Sequence, residues 1–289
     1  MKSTAIKMKI SMIYDTVRWE EKSIHKAAEQ KGIELSMINV KEMDMDFDRP
    51  VPDSYGNVTL QRCTSYYRGL HSTAFLEYNK QMVVNDLRTI INAGNKMLTS
   101  LALEANGVPS PSTSVSTSYE TAMKQFSEKF KGRAVLKPVT GSWGRMIALM
   151  NDPEAAMAIL EDREYMYPLY SIFYMQEYVK RPPRDIRTFV IGNRVVGGMY
   201  RYQPEGDWRT NAAIGGRAEK CEITTEIESI SIKAAQSVGS GILGIDIMES
   251  DRGYLVHEVN STTEFKTIAR VTQIDIPGEI LDYLVEVGR

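Results

Sequence analysis

The sequence contains few of the residues that build metal cages, disulfide frameworks or membrane spans. Its 289 residues include only two cysteines, Cys63 and Cys221, and three histidines. The cysteines belong to no CxxC or Cys/His spacing, which excludes a disulfide scaffold and a structural zinc site and favours a reducing cytoplasm. The opening MKSTAIKMKISMIYD has lysines within a short apolar stretch, which predicts neither a signal peptide nor a membrane helix.

A large net charge of either sign is also missing. Lysine and arginine number 35 and aspartate and glutamate 37, so the formal net charge is −2. This balance argues against general affinity for nucleic acid or anionic membranes, and any charged partner has to meet a local patch. The chain is longer than one compact domain usually needs, so two or three lobes are expected.

The first third reads as a parallel α/β layer. A strand at Lys9–Tyr14, an amphipathic helix ending at Gly32 and a second strand over 33–40 form a strand–helix–strand unit. The stretch 41–72 shows little periodicity and is interpreted as loops around short elements. We place the end of this N-terminal domain at 94.

A central α+β lobe is predicted over 95–178. It begins with a helix at 96–105 and continues with a helical pattern over 119–130. The segments RAVLKPV and MIALM form a hairpin around the glycine loop GSWGR, and a further helix begins after a cap at Asp152. An apolar strand, YSIFYMQEYV, leads out of the lobe.

The third lobe is predicted over 179–289. Two strands joined at Gly192-Asn193 are followed by a helix over 226–238 and by two closing strands, GILGIDIMES and GYLVHEVN. The C-terminal IPGEILDYLVEVG is helical. The fold class is therefore a parallel α/β layer followed by two α+β lobes.

The closing strands carry a candidate metal site. Glu258 and Asn260 lie two residues apart and so share one face of a strand, and antiparallel pairing can bring Asp246 to that face. Two carboxylates and an amide oxygen are the ligand types of Mg²⁺, which usually shares its coordination with phosphates. Exposed strand residues are the alternative, which stays open on this pattern alone.

The segment KPVTGSWGRM is a candidate phosphate loop. Its glycines allow the backbone to approach an anion closely, although it lacks the GxxxxGK[ST] pattern of a P-loop and an ordinary turn is the alternative. Lys137 ends the preceding apolar strand, which suggests a buried stem with the ammonium at the edge of a cleft. Further basic candidates, each of which could equally be a solvated surface residue, are Lys96, Arg187, Arg201 and Arg209, which shares WRTN with Asn211.

The order and spacing of these motifs resemble the ATP-grasp superfamily over nearly the whole chain. KPVTGSWGRM, RDIR, WRTN and EVNSTTEFK are similar to the RimK-like branch, and more narrowly to the LysX/ArgX ligases that act on the amino-group carrier protein LysW. YDTVRWEEK also looks like the start of that family. The resemblance implies an ATP-grasp fold enclosing ATP and Mg²⁺, with two ions expected.

The resemblance also assigns roles to residues. Asp246, Glu258 and Asn260 would hold magnesium, and Ser261, Thr262 and Thr263 would shape the amino-acid pocket. Arg187, Arg201, Arg209 and Asn211 would hold the acyl phosphate or the substrate carboxylates. ATP would be bound by Lys96, Lys137, Gly141, Ser142, Trp143, Gly144, Arg145, Glu177, Tyr178 and Val179.

The implied reaction joins the α-amino group of 2-aminoadipate, or glutamate, to the C-terminal glutamate side chain of an acidic carrier through an acyl phosphate, in lysine or arginine biosynthesis. The two small threonines favour the longer acid. One alternative is a carrier ligase that is specific for glutamate or accepts both acids. A RimK-like ligase that adds glutamate to a cofactor or ribosomal protein tail is another, and a non-catalytic nucleotide-binding regulator is a third. The basic segment KRPPRDIR is predicted to guide the acidic carrier tail, and a homo-oligomer, dimer or tetramer, is implied.

Overall fold

The computed structural model describes residues 8–141, 144–166, 168–210 and 217–289. Within them the chain forms three layers of strands and helices, each built on its own sheet. The parallel first layer and the two antiparallel layers confirm the predicted combination of α/β and α+β structure.

The first layer is a four-stranded parallel sheet with helices. Its elements are β1 (Lys9–Tyr14), α1 (Trp19–Lys31), β2 (Glu34–Asn39), β3 (Val58–Gln61), α2 (Tyr66–Tyr78), β4 (Met82–Val84) and α3 (Leu87–Gly94). The strand order is β2-β1-β3-β4. Helix α1 ends at Gly32, whose φ of 65° is the left-handed conformation that glycine adopts without a Cβ penalty. The predicted β1–α1–β2 unit is therefore confirmed.

The prediction of loops over 41–72 is wrong in part. Strand β3 lies within this stretch and α2 begins at Tyr66. The helical pattern is obscured by Gly69, a poor helix former. Gly69 is required by packing, since a Cβ there would lie 2.1 Å from the side-chain nitrogen of Gln61.

The second layer is an antiparallel sheet of four strands. Its elements are α4 (Lys96–Ala105), β5 (Thr113–Ser116), α5 (Tyr119–Glu128), β6 (Ala134–Lys137), β7 (Ala148–Met150), α6 (Pro153–Tyr165) and β8 (Phe173–Glu177), with strand order β5-β8-β6-β7. The hairpin of β6 and β7 around the glycine loop is as predicted. The predicted cap is also confirmed, because Asp152 accepts a hydrogen bond from the Ala155 amide.

The third layer is a five-stranded antiparallel sheet of order β11-β10-β9-β12-β13. Its elements are β9 (Arg184–Ile191), β10 (Arg194–Tyr202), β11 (Ala218–Lys220), α7 (Thr225–Val238), β12 (Ile242–Ser250), β13 (Gly253–Asn260), α8 (Lys266–Thr272) and α9 (Ile276–Val287). Both predicted strand pairs, β9–β10 and β12–β13, are confirmed.

The first and third layers share a hydrophobic core. One cluster of buried side chains joins Ile10 of β1 and Ile24 of α1 to Phe189 of β9 and to Leu281 and Leu284 of α9. The central layer has its own core, in which Phe126 and Phe173 are fully buried. The central sheet with α5 and α6 is therefore packed independently of the other two layers, whereas Leu103 of α4 is buried in the core of the third layer. No helix in the described ranges combines the length and the apolar character needed to cross a membrane.

Candidate active site

A cavity of about 640 Å³ lies where the three layers meet. Its lining comes from the first layer through Arg18 and Gln61, from the central layer through Lys137 and Gln176, and from the third layer through Glu258 and its neighbours. Most of the residues singled out in the sequence line this one cavity. We call the third-layer sheet its floor, and we call the central sheet, its glycine loop and Lys96 at the start of α4 its roof.

Three charged side chains form a row across the floor. Asp246 on β12 pairs in register with Glu258 on β13 and, on its other side, with Arg187 on β9. Arg187 donates from Nε and Nη2 to the two carboxylate oxygens of Asp246, each at 2.6 Å. Burial alone would raise the pKa of Asp246, but Arg187 and Arg201 outweigh it and hold that pKa well below its usual value.

A second buried pair lies beside the first, one step along β9 on the same face of the sheet. Arg201 donates from Nε and Nη2 to Asp185, each at 2.8 Å, and its Nη2 lies 3.0 Å from Asp246. Arg201 and Asp185 are only 4% and 1% exposed. Burial would lower the pKa of Arg201, but its two acidic neighbours raise it, so its charge is permanent. The floor therefore holds two arginines whose charges are largely balanced by aspartates.

A β-bulge adds His257 to the floor. The register shifts by one residue between β12 and β13, so Glu258 stands opposite Asp246 and His257 has no residue opposite it. Bulges next to active sites commonly redirect a side chain. His257 lines the cavity, neither ring nitrogen has a hydrogen-bond partner, and its Nε2 lies 3.8 Å from Asp185. Nothing in the sequence pattern indicated this residue.

The donor set on the floor fits a magnesium ion. Glu258 and Asn260 alternate along β13, and the side-chain nitrogen of Asn260 is buried without a hydrogen-bond partner. No group of three His, Cys, Asp or Glu in the described ranges is arranged to hold a metal. Two carboxylates and an amide leave positions for substrate phosphates, which is how proteins usually bind Mg²⁺. Asp246 could take part, because a carboxylate that accepts two hydrogen bonds keeps further lone pairs.

The roof supplies two lysines. Lys137, 7% exposed, donates to the side-chain oxygen of Gln176 at 2.6 Å. Burial lowers the pKa of Lys137 to about 8 despite the opposing influence of Glu258. Lys96, at the start of α4, donates to the carbonyl of Gly141 at 2.9 Å and lies 3.3 Å from a carboxylate oxygen of Glu258. Both lysines thus line the cavity, and Lys96 also connects the glycine loop to the floor.

The glycine loop is linked to the third layer. Arg209 donates to the carbonyl of Gly144 at 3.2 Å while it pairs with Asp207. Gly141 and Gly144 both have positive φ, 143° and 67°, so the loop uses conformations that favour glycine. Gly141, Gly144 and Arg145 line the cavity. Ser142, Trp143 and Asn211 lie outside the described residues.

The candidate nucleobase edge follows β8. Tyr178 and Val179 line the cavity, and the guanidinium of Arg133 lies 4.0 Å from the centre of the Tyr178 ring. The side chain of Glu177 is occupied elsewhere, since it accepts hydrogen bonds from the Ser112 amide and from Arg252. The main-chain amide of Glu177 is bonded as well, to the Ser112 carbonyl at 2.9 Å, so Tyr178 and Val179 are the better candidates for the nucleobase edge.

The loop after β13 brings Ser261, Thr262 and Thr263 to the end of the cavity next to the first layer. Thr262 donates to the side-chain oxygen of Gln61 at 3.2 Å. Sequence reasoning missed this contribution of the first layer. A charged Arg62 directly after a buried strand was a signal that could have indicated it.

The basic segment KRPPRDIR is not an open patch. Arg184 forms a bidentate ion pair with Glu249 at 2.7 and 2.9 Å, and Arg187 is held by Asp246. Arg181 donates to the carbonyl of Arg184, and burial lowers its pKa. Of these cations only Lys180 is exposed and forms no described ion pair, so the predicted guidance of an acidic tail is reduced to this residue.

The sequence matches two family models. Residues 93–284 match the RimK-like ATP-grasp domain and residues 10–91 the LysX preATP-grasp domain. The chain is 35% identical to the alpha-aminoadipate–LysW ligase LysX of Sulfurisphaera tokodaii, with 96% of this chain and 99% of the relative covered. It is 33% identical to the glutamate–LysW ligase ArgX of Sulfolobus acidocaldarius, covering 96% and 98%.

The fold has close counterparts among solved structures. A RimK domain ATP-grasp protein from Sphaerobacter thermophilus superposes with a TM-score of 0.79 at 19% identity, covering 96% of this chain and 99% of that one. ATP-grasp ligases use ATP and Mg²⁺, which agrees with the lysines of the roof and the oxygen donors of the floor. The chain belongs to the RimK-like ATP-grasp family of ATP-dependent ligases, and within it to the group of LysX and ArgX.

Proposed function

We propose that this protein joins the α-amino group of 2-aminoadipate, or of glutamate, to the C-terminal glutamate side chain of an acidic LysW-type carrier protein. The observation that supports this most directly is the single cavity in which two acids of the floor, Asp246 and Glu258, face two lysines of the roof, Lys96 and Lys137. Likeness to the two named ligases over nearly their whole length supports the carrier and the amino acid.

The first half of the reaction activates a carboxylate that is otherwise a poor electrophile. An oxygen of the carrier carboxylate attacks the γ-phosphorus of ATP, the bond to the bridging oxygen breaks, and ADP leaves with that electron pair. Lys137 and Lys96 place positive charge where the phosphate oxygens gather negative charge. The glycine loop, linked to the floor through Arg209, excludes water from the resulting acyl phosphate.

The oxygen donors of the floor are the groups that fit magnesium in this step. Glu258, Asn260 and Asp246 are the residues that would hold it, and we expect two ions. When bound, magnesium supplies positive charge that neutralises the phosphate oxygens.

The second half requires an amine beside the acyl phosphate. The α-amino nitrogen attacks the acyl carbon, phosphate departs with the electron pair of the broken bond, and the nitrogen loses a proton as the amide forms. Arg187 and Arg201 are held rigid by Asp246 and Asp185, so their remaining N–H groups are preorganised to bind oxygen anions. No nucleophile of the enzyme is consumed.

The choice of acid is assigned to the residues at the first-layer end of the cavity. 2-Aminoadipate exceeds glutamate by one methylene, which a pocket distinguishes by about 1–3 kcal/mol. Thr262 and Thr263 are small, and they favour the longer acid. Both kinds of relative are about equally similar to this chain, so dual use is the nearest alternative.

The deciding experiment measures ADP release with Mg-ATP and a LysW-type carrier, with 2-aminoadipate or glutamate in separate reactions, and follows the carrier by mass spectrometry. We expect a mass gain corresponding to one acid residue. If the carrier stays unmodified while ATP is hydrolysed with a free cofactor or a ribosomal protein tail as acceptor, the protein is instead a RimK-like ligase that adds glutamate to that acceptor. Absence of ATP turnover with all these acceptors would favour a regulator.

The cellular setting and assembly follow from the same proposal. A ligase of amino-acid biosynthesis works in the cytoplasm, and neither nucleic acid nor a membrane takes part. A homo-oligomer, dimer or tetramer, is proposed from the family likeness, and analytical ultracentrifugation tests it.

A further inference from the structure

The residues of the loop 261–266 are hydrogen-bonded to side chains of the first layer at nearly every position. We call it the acceptor loop, and it comprises the connection between β13 and α8 together with Lys266, the first residue of α8. The contacts are Asn85 to the Ser261 carbonyl (2.7 Å), Thr262 to Gln61 (3.2 Å), Arg62 to the Thr263 carbonyl (3.1 Å), Arg18 to Glu264 (3.4 Å), and Glu20 to the amides of Phe265 and Lys266 (3.2 Å each). The conformation of the loop is thus determined from outside its own layer.

Two of these contacts are made by buried charges. Glu20 is 4% exposed, and one of its carboxylate oxygens accepts both successive amides of the loop. Arg62 is 2% exposed, donates from Nη1 to the loop and from Nε to Glu21 at 3.1 Å, and lies 5.6 Å from the centre of the Phe265 ring. Buried charges carry a large desolvation cost, which is offset only by good geometry. The hydrogen bonds of both residues meet at one short segment of main chain.

The position of the acceptor loop is also limited by its contact with β12 of the third layer. Thr263 is 2% exposed and packs against Gly244 of β12, where a Cβ would lie 2.3 Å from the threonine hydroxyl. Thr263 therefore lies between Gly244 and the Arg62 contact on its own carbonyl, and it cannot shift far in either direction. Thr262 and Thr263 nevertheless line the cavity. A small change in the hydrogen bonds between the first layer and the acceptor loop would therefore change the depth of the cavity at this end.

We propose that Glu20 and Arg62 are positioning residues that set the depth of the amino-acid subsite, and through it the selection between dicarboxylic amino acids that differ by one methylene. The inference rests on the proposed function, since it concerns the amino-acid acceptor of that reaction. Neither residue takes part in the chemistry. They act through the main chain of the acceptor loop, to which they are hydrogen-bonded; Glu20 also lines the cavity, whereas Arg62 lies behind the lining.

The test uses Glu20→Ala and Arg62→Lys, each of which removes contacts to the loop. Glu20→Gln is the conservative control, because it keeps an oxygen that can accept both amides. Asn92→Ala is the matched control from the same layer, since Asn92 donates to the Val238 carbonyl at 2.9 Å and leaves the acceptor loop untouched. For each protein, kcat/KM is measured for 2-aminoadipate and for glutamate, together with KM for Mg-ATP.

We expect the ratio of the two kcat/KM values to change by at least about fivefold in Glu20→Ala and Arg62→Lys, within the range that one methylene can provide. KM for ATP should stay within about twofold, because the lysines of the roof are unchanged. Glu20→Gln and Asn92→Ala should keep the wild-type ratio. A general structural role predicts a different pattern, in which both acids and ATP lose efficiency by one common factor, and that pattern would overturn the proposal.

Folding and the proposed function are controlled separately. If thermal unfolding shows that Arg62→Lys does not fold, the Glu20→Ala and Glu20→Gln pair decides. Wild-type enzyme that modifies the carrier, combined with an unchanged acid ratio in folded Glu20→Ala, refutes the positioning role alone. Wild-type enzyme that modifies the carrier with neither acid refutes the proposed function, and the positioning role falls with it.

Discussion

The floor and the roof of the cavity hold their positive charges in different ways. On the floor, Arg187 and Arg201 are bound by Asp246 and Asp185 in bidentate pairs, so most of their charge is balanced within the protein. On the roof, Lys137 is bonded to a neutral amide, and Lys96 donates to a carbonyl group and makes only a single longer contact with a carboxylate, 3.3 Å to Glu258. The floor is therefore a preformed scaffold, and the roof supplies the net charge that a polyphosphate requires.

The largest effect is expected from removing the carboxylate charge that balances the two arginines of the floor. Asp246→Asn leaves Arg187 and Arg201 beside a neutral side chain in a buried site. We expect activity to fall by about a thousandfold or more and the free energy of unfolding to fall by about 3–5 kcal/mol. Steady-state ligation assays and urea unfolding measure the two quantities.

Glu249→Gln is the matched control for that substitution. Glu249 forms a bidentate pair with Arg184 in the same sheet, but the two side chains are 21% and 29% exposed. The loss in stability should be about 1 kcal/mol or less, with activity unchanged. Equal losses in the two variants would abolish the distinction between the floor of the cavity and the rest of its sheet.

Removing a charge from the roof should affect binding without harming the fold. Lys137→Met should lower kcat/KM for ATP by about 100- to 1,000-fold, because it removes a cation from the phosphate site. The free energy of unfolding should stay equal or increase, because burial already disfavours the charged lysine. Lys129→Met, which alters an exposed lysine of the same layer, should leave kcat/KM for ATP unchanged. Destabilisation by Lys137→Met would contradict the contrast between roof and floor.

The pH dependence of kcat/KM for ATP is a further test of the difference between the lysines of the roof and the arginines of the floor. The pKa of Lys137 is lowered to about 8, so the group carries its charge below that pH and loses it as pH rises. In the free enzyme kcat/KM for ATP should therefore fall above pH 8, about tenfold per unit, while the arginines of the floor stay charged. Lys137→Arg should move this decline to higher pH. A decline that stays at the same pH in the arginine variant would assign it to another group.

The smallest effect is expected outside the cavity. Lys180 is the exposed cation of the basic segment, and Lys180→Glu should raise KM for an acidic carrier by about twofold to threefold at low salt. The effect should vanish near 0.5 M salt because exposed charges are screened. Lys220→Glu, at an exposed strand away from the cavity, is the control. An unchanged KM at low salt excludes guidance by this segment.

Several elements were predictable because their local patterns agree with their packing. The first unit of β1 and α1, the hairpin around the glycine loop and the closing pair of β12 and β13 combine clear apolar periodicity with glycine or capping residues at their ends. Helix α2 was not predictable, since Gly69 is placed there by its contact with Gln61, a partner eight residues away on another element. Local propensity does not report a contact of that kind.

The residues of the candidate site likewise fall into those that a local pattern predicts and those that it does not. The alternation of Glu258 and Asn260, and the return of Asp246 across a turn, follow from the strand period of two. His257 does not, because its side chain reaches the cavity through a bulge, and a bulge depends on the register of two strands. The contacts of Glu20 and Arg62 with the acceptor loop span more than 200 residues of sequence, so no local pattern contains them.

The absent side chain at Gly244 has a consequence for how this enzyme can diverge. Because Thr263 occupies the space that a Cβ at 244 would need, Gly244 can be replaced only if residue 263 or its loop changes as well. An alanine at 244 would require either a smaller residue at 263 or a loop raised toward the cavity, and the second of these changes would shorten the amino-acid subsite. A residue that never meets the amino acid could in this way shift the enzyme from one biosynthetic route to another.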